Sequence, residues 1–206
     1  MSPFDFFFVL KIKICIFGVP YFIFTELSKI EAMNNSNNLK KEPGYWIQKL
    51  NLQKHPEGGY YRETYRSNEM ISKECLANRY DGDRSVYTSI YFLLTGKDIS
   101  AFHRIKSDEI WHFYFGSSIT LYRIDPDGML FKTKIGDDLE NGELFQTYIK
   151  AGHWFAARVN DPTSFSLVGC TVAPGFDFAD FELGNRKDLI KAYPRHREII
   201  EQLTHP

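Results

Sequence analysis

A surplus of charge of either sign is missing from this chain: 25 lysines and arginines stand against 26 aspartates and glutamates, a formal net charge of −1 over 206 residues. No broad cationic surface is left to neutralise a phosphate backbone or to hold an anionic membrane, so nucleic acid and, for the folded domain, membrane are not expected partners. Cysteine is scarce too. Cys15, Cys75 and Cys170 are far apart with no CxxC spacing, so no disulfide framework is expected, which suits a reducing compartment and a cytoplasmic location. No repeat of solenoid type is present. Aromatic residues, by contrast, make up 16% and hydrophobic residues 43%, enough for one globular domain with a sizeable core.

The one long apolar run lies at the amino terminus, from Phe4 to Phe24, about the length that crosses a bilayer. Asp5 stands where a signal peptide carries positive charge, Lys11 and Lys13 interrupt the run, and no clear small-x-small cleavage site precedes the polar "NNSNNLKK". The run is almost entirely Phe, Ile, Lys, Val and Tyr, as translated AT-rich non-coding sequence would be. Residues 1–42 are therefore read as an extension outside the domain, a gene-model artefact or a targeting segment followed by an Asn-rich linker with no reason to order. Residues 43–206 form the single domain.

Beyond Pro43 the pattern sharpens. Trp46, Ile47 and Leu50 have the spacing of a short amphipathic helix, and "HPEGGYYRETYRS" reads as a turn entering a strand. From Ser85 to Val172 short alternating or apolar runs follow one another, among them "SVYTSIYFLLTG", "ISAFHRI", "EIWHFYFG" and "SFSLVGCTVAPG", separated by Gly, Asp, Asn and Pro. Such spacing predicts a β-sandwich or closed barrel. Asn185 can cap a helix through Ala192, and Pro194 can open another.

Gly96, His103, Ile105, Glu109 and Gly116 follow one another at the intervals of a known signature. It resembles the first motif of the cupin superfamily, with "GELFQTYIKAGHWFAARVN" as a degraded second motif. With "HPEGGYYRETYRS" and "VAPGFDFADFELG", the stretch is similar to small single-domain RmlC-like cupins known mainly as a domain of unknown function, over about residues 45 to 205. The resemblance implies an all-β core, a jelly-roll barrel (double-stranded β-helix) with short flanking helices at both ends. It also implies a small-molecule ligand in the barrel and a homodimer, for which the aromatic "YYRETY" strand would suit an isologous contact.

The cupin metal site uses three imidazoles and a carboxylate, and here Ile105 stands at the second histidine. His103, Glu109 and His153 are weak metal candidates, and strand alternation turns His112 away from Glu109, so no tight metal is expected and the cofactor is left unnamed. His103 and Glu109 are read instead as an acid/base pair, with Tyr91 or Tyr61 as a phenol acid by resemblance to metal-free sugar-nucleotide epimerases. Alternation along "SVYTSIYFLL" is taken to put Ser89 and Tyr91 on the face toward the barrel. His55, Arg62, Ser89, Trp111 and His153 are the ligand-binding candidates. The carboxylates of Asp177, Asp180 and Glu182 are read as a solvated loop. The leading expectation is isomerase- or epimerase-like chemistry on a sugar-like or polar metabolite. An Fe-, Zn- or Mn-dependent enzyme completed by His112 or His153 and a storage-type binding protein stay open.

Overall fold

Each apolar run between Ser85 and Val172 becomes a strand. The computed structural model describes residues 42–206, and the expectations for the apolar segment and its linker lie outside those residues. The first helix, α1 (Pro43–Lys49), starts on a proline whose missing N–H costs nothing at a helix start. The strands are β1 (Gln53–Lys54), β2 (Tyr60–Arg66), β3 (Met70–Ile71), β4 (Arg84–Ser85), β5 (Thr88–Thr95), β6 (Ser100–Arg104), β7 (Asp108–Gly116), β8 (Ile119–Ile124), β9 (Leu130–Ile135), β10 (Gln146–Ile149), β11 (Trp154–Val159), β12 (Phe165–Ala173) and β13 (Glu182–Leu183). Two short helices close the chain, α2 (Arg186–Ala192) and α3 (Arg197–Gln202). The Asn185 side chain caps α2 by accepting from the N–H groups of Lys187 and Asp188.

Eleven strands form a six-stranded sheet in the order β1-β2-β5-β12-β7-β10 and a five-stranded sheet in the order β13-β6-β11-β8-β9, and β3 and β4 pair separately. Every pairing within them is antiparallel. This is the jelly roll expected from the sequence. Phe92, Leu94, Trp111, Leu121, Phe155 and Val168 fill the space between the sheets. On the outside of the five-stranded sheet, Phe102, Tyr122 and Trp154 are covered by Leu189, Ile200 and Leu203 from the carboxy-terminal helices. On the outside of the six-stranded sheet, Leu93, Phe165 and Leu167 are covered by Trp46, Ile47 and Leu52.

That last layer corrects one expectation. Thr88, Ile90 and Phe92 of β5 face between the sheets, so Ser89 and Tyr91 lie on the opposite face. Tyr91 packs against the layer under α1 and sits edge-on to Tyr114 at 6.1 Å between ring centroids. Both faces of β5 are apolar because both are covered, and alternation alone cannot then choose the inner one.

Candidate functional site

One end of the space between the sheets is open, leaving a cavity of about 400 Å³ lined by His55, Glu57, His103, Glu109, Trp111 and Cys170 and rimmed by phenylalanines. Glu57 enters it from the tip of the β1–β2 hairpin. The Gly58 N–H donates to the His55 carbonyl and the His55 N–H to that of Gly59, closing the turn, and the Ala101 N–H donates to the Glu57 carbonyl, docking the tip on β6 in the other sheet. Gly58 has φ +114° and Gly59 φ +68°, and a Cβ on Gly58 would fall 2.0 Å from the Ile99 carbonyl oxygen. Gly58→Ala is therefore expected to lower stability by about 2–3 kcal/mol, measured by denaturant unfolding. A loss below about 0.5 kcal/mol would mean that the tip is not held as described.

The buried Glu57 carboxyl is fully engaged. Its Oε1 accepts from Ser100 Oγ at 2.7 Å, and its Oε2 lies 3.1 Å from His103 Nε2 and 3.3 Å from His55 Nδ1. The protonation of the two rings follows from their other contacts. His103 Nδ1 faces the Ala101 carbonyl at 2.8 Å, which has no proton to give, so Nδ1 carries the hydrogen. His55 Nδ1 accepts from the Glu57 N–H at 3.4 Å, so its hydrogen is on Nε2. A single proton then lies between Glu57 Oε2 and His103 Nε2. Burial pushes the Glu57 carboxyl up and the His103 imidazole down to about 4, with the Ala101 carbonyl opposing the latter. Both directions favour that proton on Glu57 over His103. Burial lowers His55 as well.

Glu109 lines the same cavity from β7, which lies in the six-stranded sheet with the β1–β2 hairpin and across from the β6 strand of His103. It is 7% exposed and has no cation within salt-bridge distance among the described residues. Burial, with the Glu57 charge in second place, raises it to about 8, against the pull of the Cys170 thiol and the Trp111 indole. That indole N–H is near enough to favour the carboxylate but makes no hydrogen bond. Burial raises Cys170 far above the usual thiol range, so it stays a neutral thiol rather than a thiolate nucleophile.

The structure brings together His55, His103, Glu109 and Trp111, along with Tyr61. It does not bring in Tyr91, Ser89, Arg62 or His153. Arg62 lies on the outer face beside Tyr91, donating to the Leu50 carbonyl at 3.0 Å. His153 sits in the turn before β11, near Arg123 and Asp125. His103 and Glu109 share the cavity, but the carboxylate that touches His103 is Glu57. Only "HPEGG" could have signalled it, as a glutamate set between a proline and two glycines.

The donor set does not fit the cupin metal site. Ile105 lines the cavity at the second imidazole position, His103 has both ring nitrogens engaged, His112 is turned out toward Thr171, and His153 lies outside. Among the described residues no group of three or more His, Cys, Asp or Glu is arranged to hold a metal ion.

The mouth is built by residues 176–182. Asp180, read from the sequence as solvated, is instead 5% exposed and forms a bidentate pair with Arg84 of β4, with both N···O distances 2.6 Å. Asp177 caps the turn at the Ala179 N–H, and Glu182 pairs with Arg104 on the surface. This anchoring sets Phe178 over His55, stacked at 6.2 Å, and Phe181 beside His103 at 5.4 Å. No helix among the described residues is long and apolar enough to cross a membrane.

Residues 44–184 match the family described as Cupin superfamily (DUF985). An uncharacterized protein of Saccharomyces cerevisiae, YML079W, is 32% identical over 163 residues, which is 73% of this chain and 81% of the yeast protein. The crystal structure of protein SO0799 from Shewanella oneidensis is similar with a TM-score of 0.71 and 40% identity, covering 78% of this chain and 96% of that one. A hypothetical protein from Leishmania major is similar with a TM-score of 0.72 and 34% identity, covering 80% and 99%. Sequence motifs, jelly-roll topology and family match agree: the chain belongs to the cupin superfamily, in its DUF985 family.

Proposed function

We propose that the protein binds a small polar metabolite in this cavity and moves protons to and from it with its own side chains, in the manner of an isomerase or epimerase. The observation that carries the reading is that two acid/base groups, Glu109 and the Glu57–His103 pair, line one cavity. Such chemistry takes a proton from one atom of the ligand and returns one elsewhere. The ligand's proton is taken by Glu57 as its own passes to His103 Nε2, and a second proton leaving Glu109 keeps the total charge of the site constant, which matters in a poorly solvated cavity. Glu109, held at about 8, is near the acidity that suits proton exchange at neutral pH. Tyr61 lines the same cavity and supplies the phenol that Tyr91 does not.

The test is deuterium exchange in D₂O, followed by proton NMR on a panel of aldoses, α-hydroxy ketones and their amino analogues. At least one compound is expected to lose a carbon-bound proton signal with the protein present, about 100-fold more slowly with Glu109→Gln. Loss of no signal across the panel would contradict proton-transfer chemistry.

A further inference from the structure

We infer that the ligand of this cavity is a cation, an alkyl- or arylammonium compound whose charge sits between the aromatic walls and the carboxyl groups of Glu57 and Glu109. The inference rests on the assignment of this cavity as the ligand site and narrows the class of compound it takes.

The ionisable side chains around the cavity are mostly acidic. Four carboxyl side chains line it, those of Glu57, Glu63, Glu109 and Asp177, against one guanidinium, that of Arg66. Arg66 is already occupied: its Nε and Nη2 donate to Glu63 at 3.1 and 2.6 Å, and its Nη1 donates to the Phe176 carbonyl at 3.0 Å. No lysine lines the cavity. A phosphate or carboxylate entering here would meet carboxyl groups and no free cation, which disfavours the sugar-nucleotide class of ligand.

The walls add an independent preference. Tyr61, Phe92, Trp111, Phe176, Phe178 and Phe181 all line the space, and aromatic faces attract a desolvated cation. Glu109 lies inside this enclosure, more than nine-tenths buried and without a basic partner among the described residues. An ammonium group supplies the missing partner. Once it does, the carboxylate form of Glu109 is favoured, and the Trp111 indole N–H, which makes no hydrogen bond among the described residues, gains a charged acceptor.

The experiment compares three probes of one shape and different charge, namely benzylammonium, benzyl alcohol and benzoate. They are titrated into the ¹⁵N-labelled full-length protein while the Trp111 indole signal is followed. Benzylammonium is expected to bind at least tenfold more tightly than benzyl alcohol and to shift the Trp111 signal, with no saturable binding of benzoate. Glu109→Gln, which keeps the shape of the side chain, is expected to weaken benzylammonium at least tenfold and leave benzyl alcohol unchanged; the unchanged neutral probe certifies an intact cavity. Should Glu109→Gln fold poorly, Trp111→Phe serves, with the same selective loss for the cation. Benzyl alcohol or benzoate binding as well as benzylammonium, or no binding of benzylammonium, overturns the inference. Deuterium exchange is scored separately. Exchange without cation preference overturns the cation and leaves proton transfer standing, and cation preference without exchange does the reverse.

Discussion

Asp180→Ala is expected to destabilise the protein by about 3–5 kcal/mol, a large fraction of the stability of an ordinary domain. The reason is what the substitution leaves behind. Arg84 has a side chain only 6% exposed, and both of its inner nitrogens donate to Asp180. Without the carboxylate its charge stays buried with no acceptor but the Asp83 carbonyl. Lys106 Nζ, 3.4 Å from Asp180, would lose a partner too, although Asp81 still holds it. The same cut frees the loop carrying Phe176, Phe178 and Phe181, so binding of any cavity ligand should weaken with stability. Replacing both members, Arg84→Met with Asp180→Leu, should recover most of the loss because no buried charge remains. Urea unfolding of the two variants and the parent decides this. A loss under 1 kcal/mol for Asp180→Ala would show that the mouth is not anchored through this pair.

Stability should fall as the solution is made alkaline, by about 2 kcal/mol between pH 6.5 and 8. Glu109 is raised in the folded protein from 4.5 to about 8. The folded state therefore holds a proton that the unfolded chain has released, and stability drops as pH rises through that window. His103 is lowered from 6.5 to about 4. The unfolded chain then binds the extra proton, so this contribution falls as pH decreases from 6.5 to 4. Between pH 4.5 and 6.5 the two slopes oppose each other and the curve should be nearly flat. Above pH 6.5 only the carboxyl slope is left, and about 1.5 pH units at about 1.36 kcal/mol each give the expected loss. Glu57, raised by the same burial, steepens it. Glu109→Gln removes much of the alkaline slope and, at pH 7, should stabilise by about 3 kcal/mol, since a neutral amide has no ionised form for unfolding to release. Denaturant unfolding at pH 5, 6.5 and 8 gives the sign directly. A variant less stable than the parent at pH 8 would contradict a buried, neutral Glu109.

Most of the architecture could be read from the sequence because a jelly roll is made of short strands with punctuated ends, and Gly, Asp, Asn and Pro mark those ends. The inner face could be read where one side of a strand is more polar. In β7, Glu109 and Trp111 alternate with Ile110 and His112, and the larger buried set points inward. In β5 it could not, because Leu93 is covered by α1 and Leu52 as fully as Phe92 is by the core, with Tyr91 partly buried beside it. The site was half legible. His103 belongs to a strand motif, whereas Glu57 belongs to a turn whose proline and glycines account for themselves without a carboxyl group. Its role comes from a tertiary event, the docking of a hairpin tip of one sheet onto β6 of the other. Asp180 was hidden for the same reason. Its partner, Arg84, is 96 residues away, and no local pattern distinguishes it from Asp177 or Glu182.

The central claim, that burial holds Glu109 protonated and ready to exchange its proton near neutral pH, is tested most directly by the carboxyl ¹³C titration of Glu109 in protein labelled at glutamate Cδ, with Glu109→Gln to assign the signal. The expected result is a midpoint near 8, with the Glu57 signal also displaced upward. A Glu109 midpoint in the ordinary glutamate range, near 4.5, would mean a solvated or ion-paired carboxylate and would contradict the account.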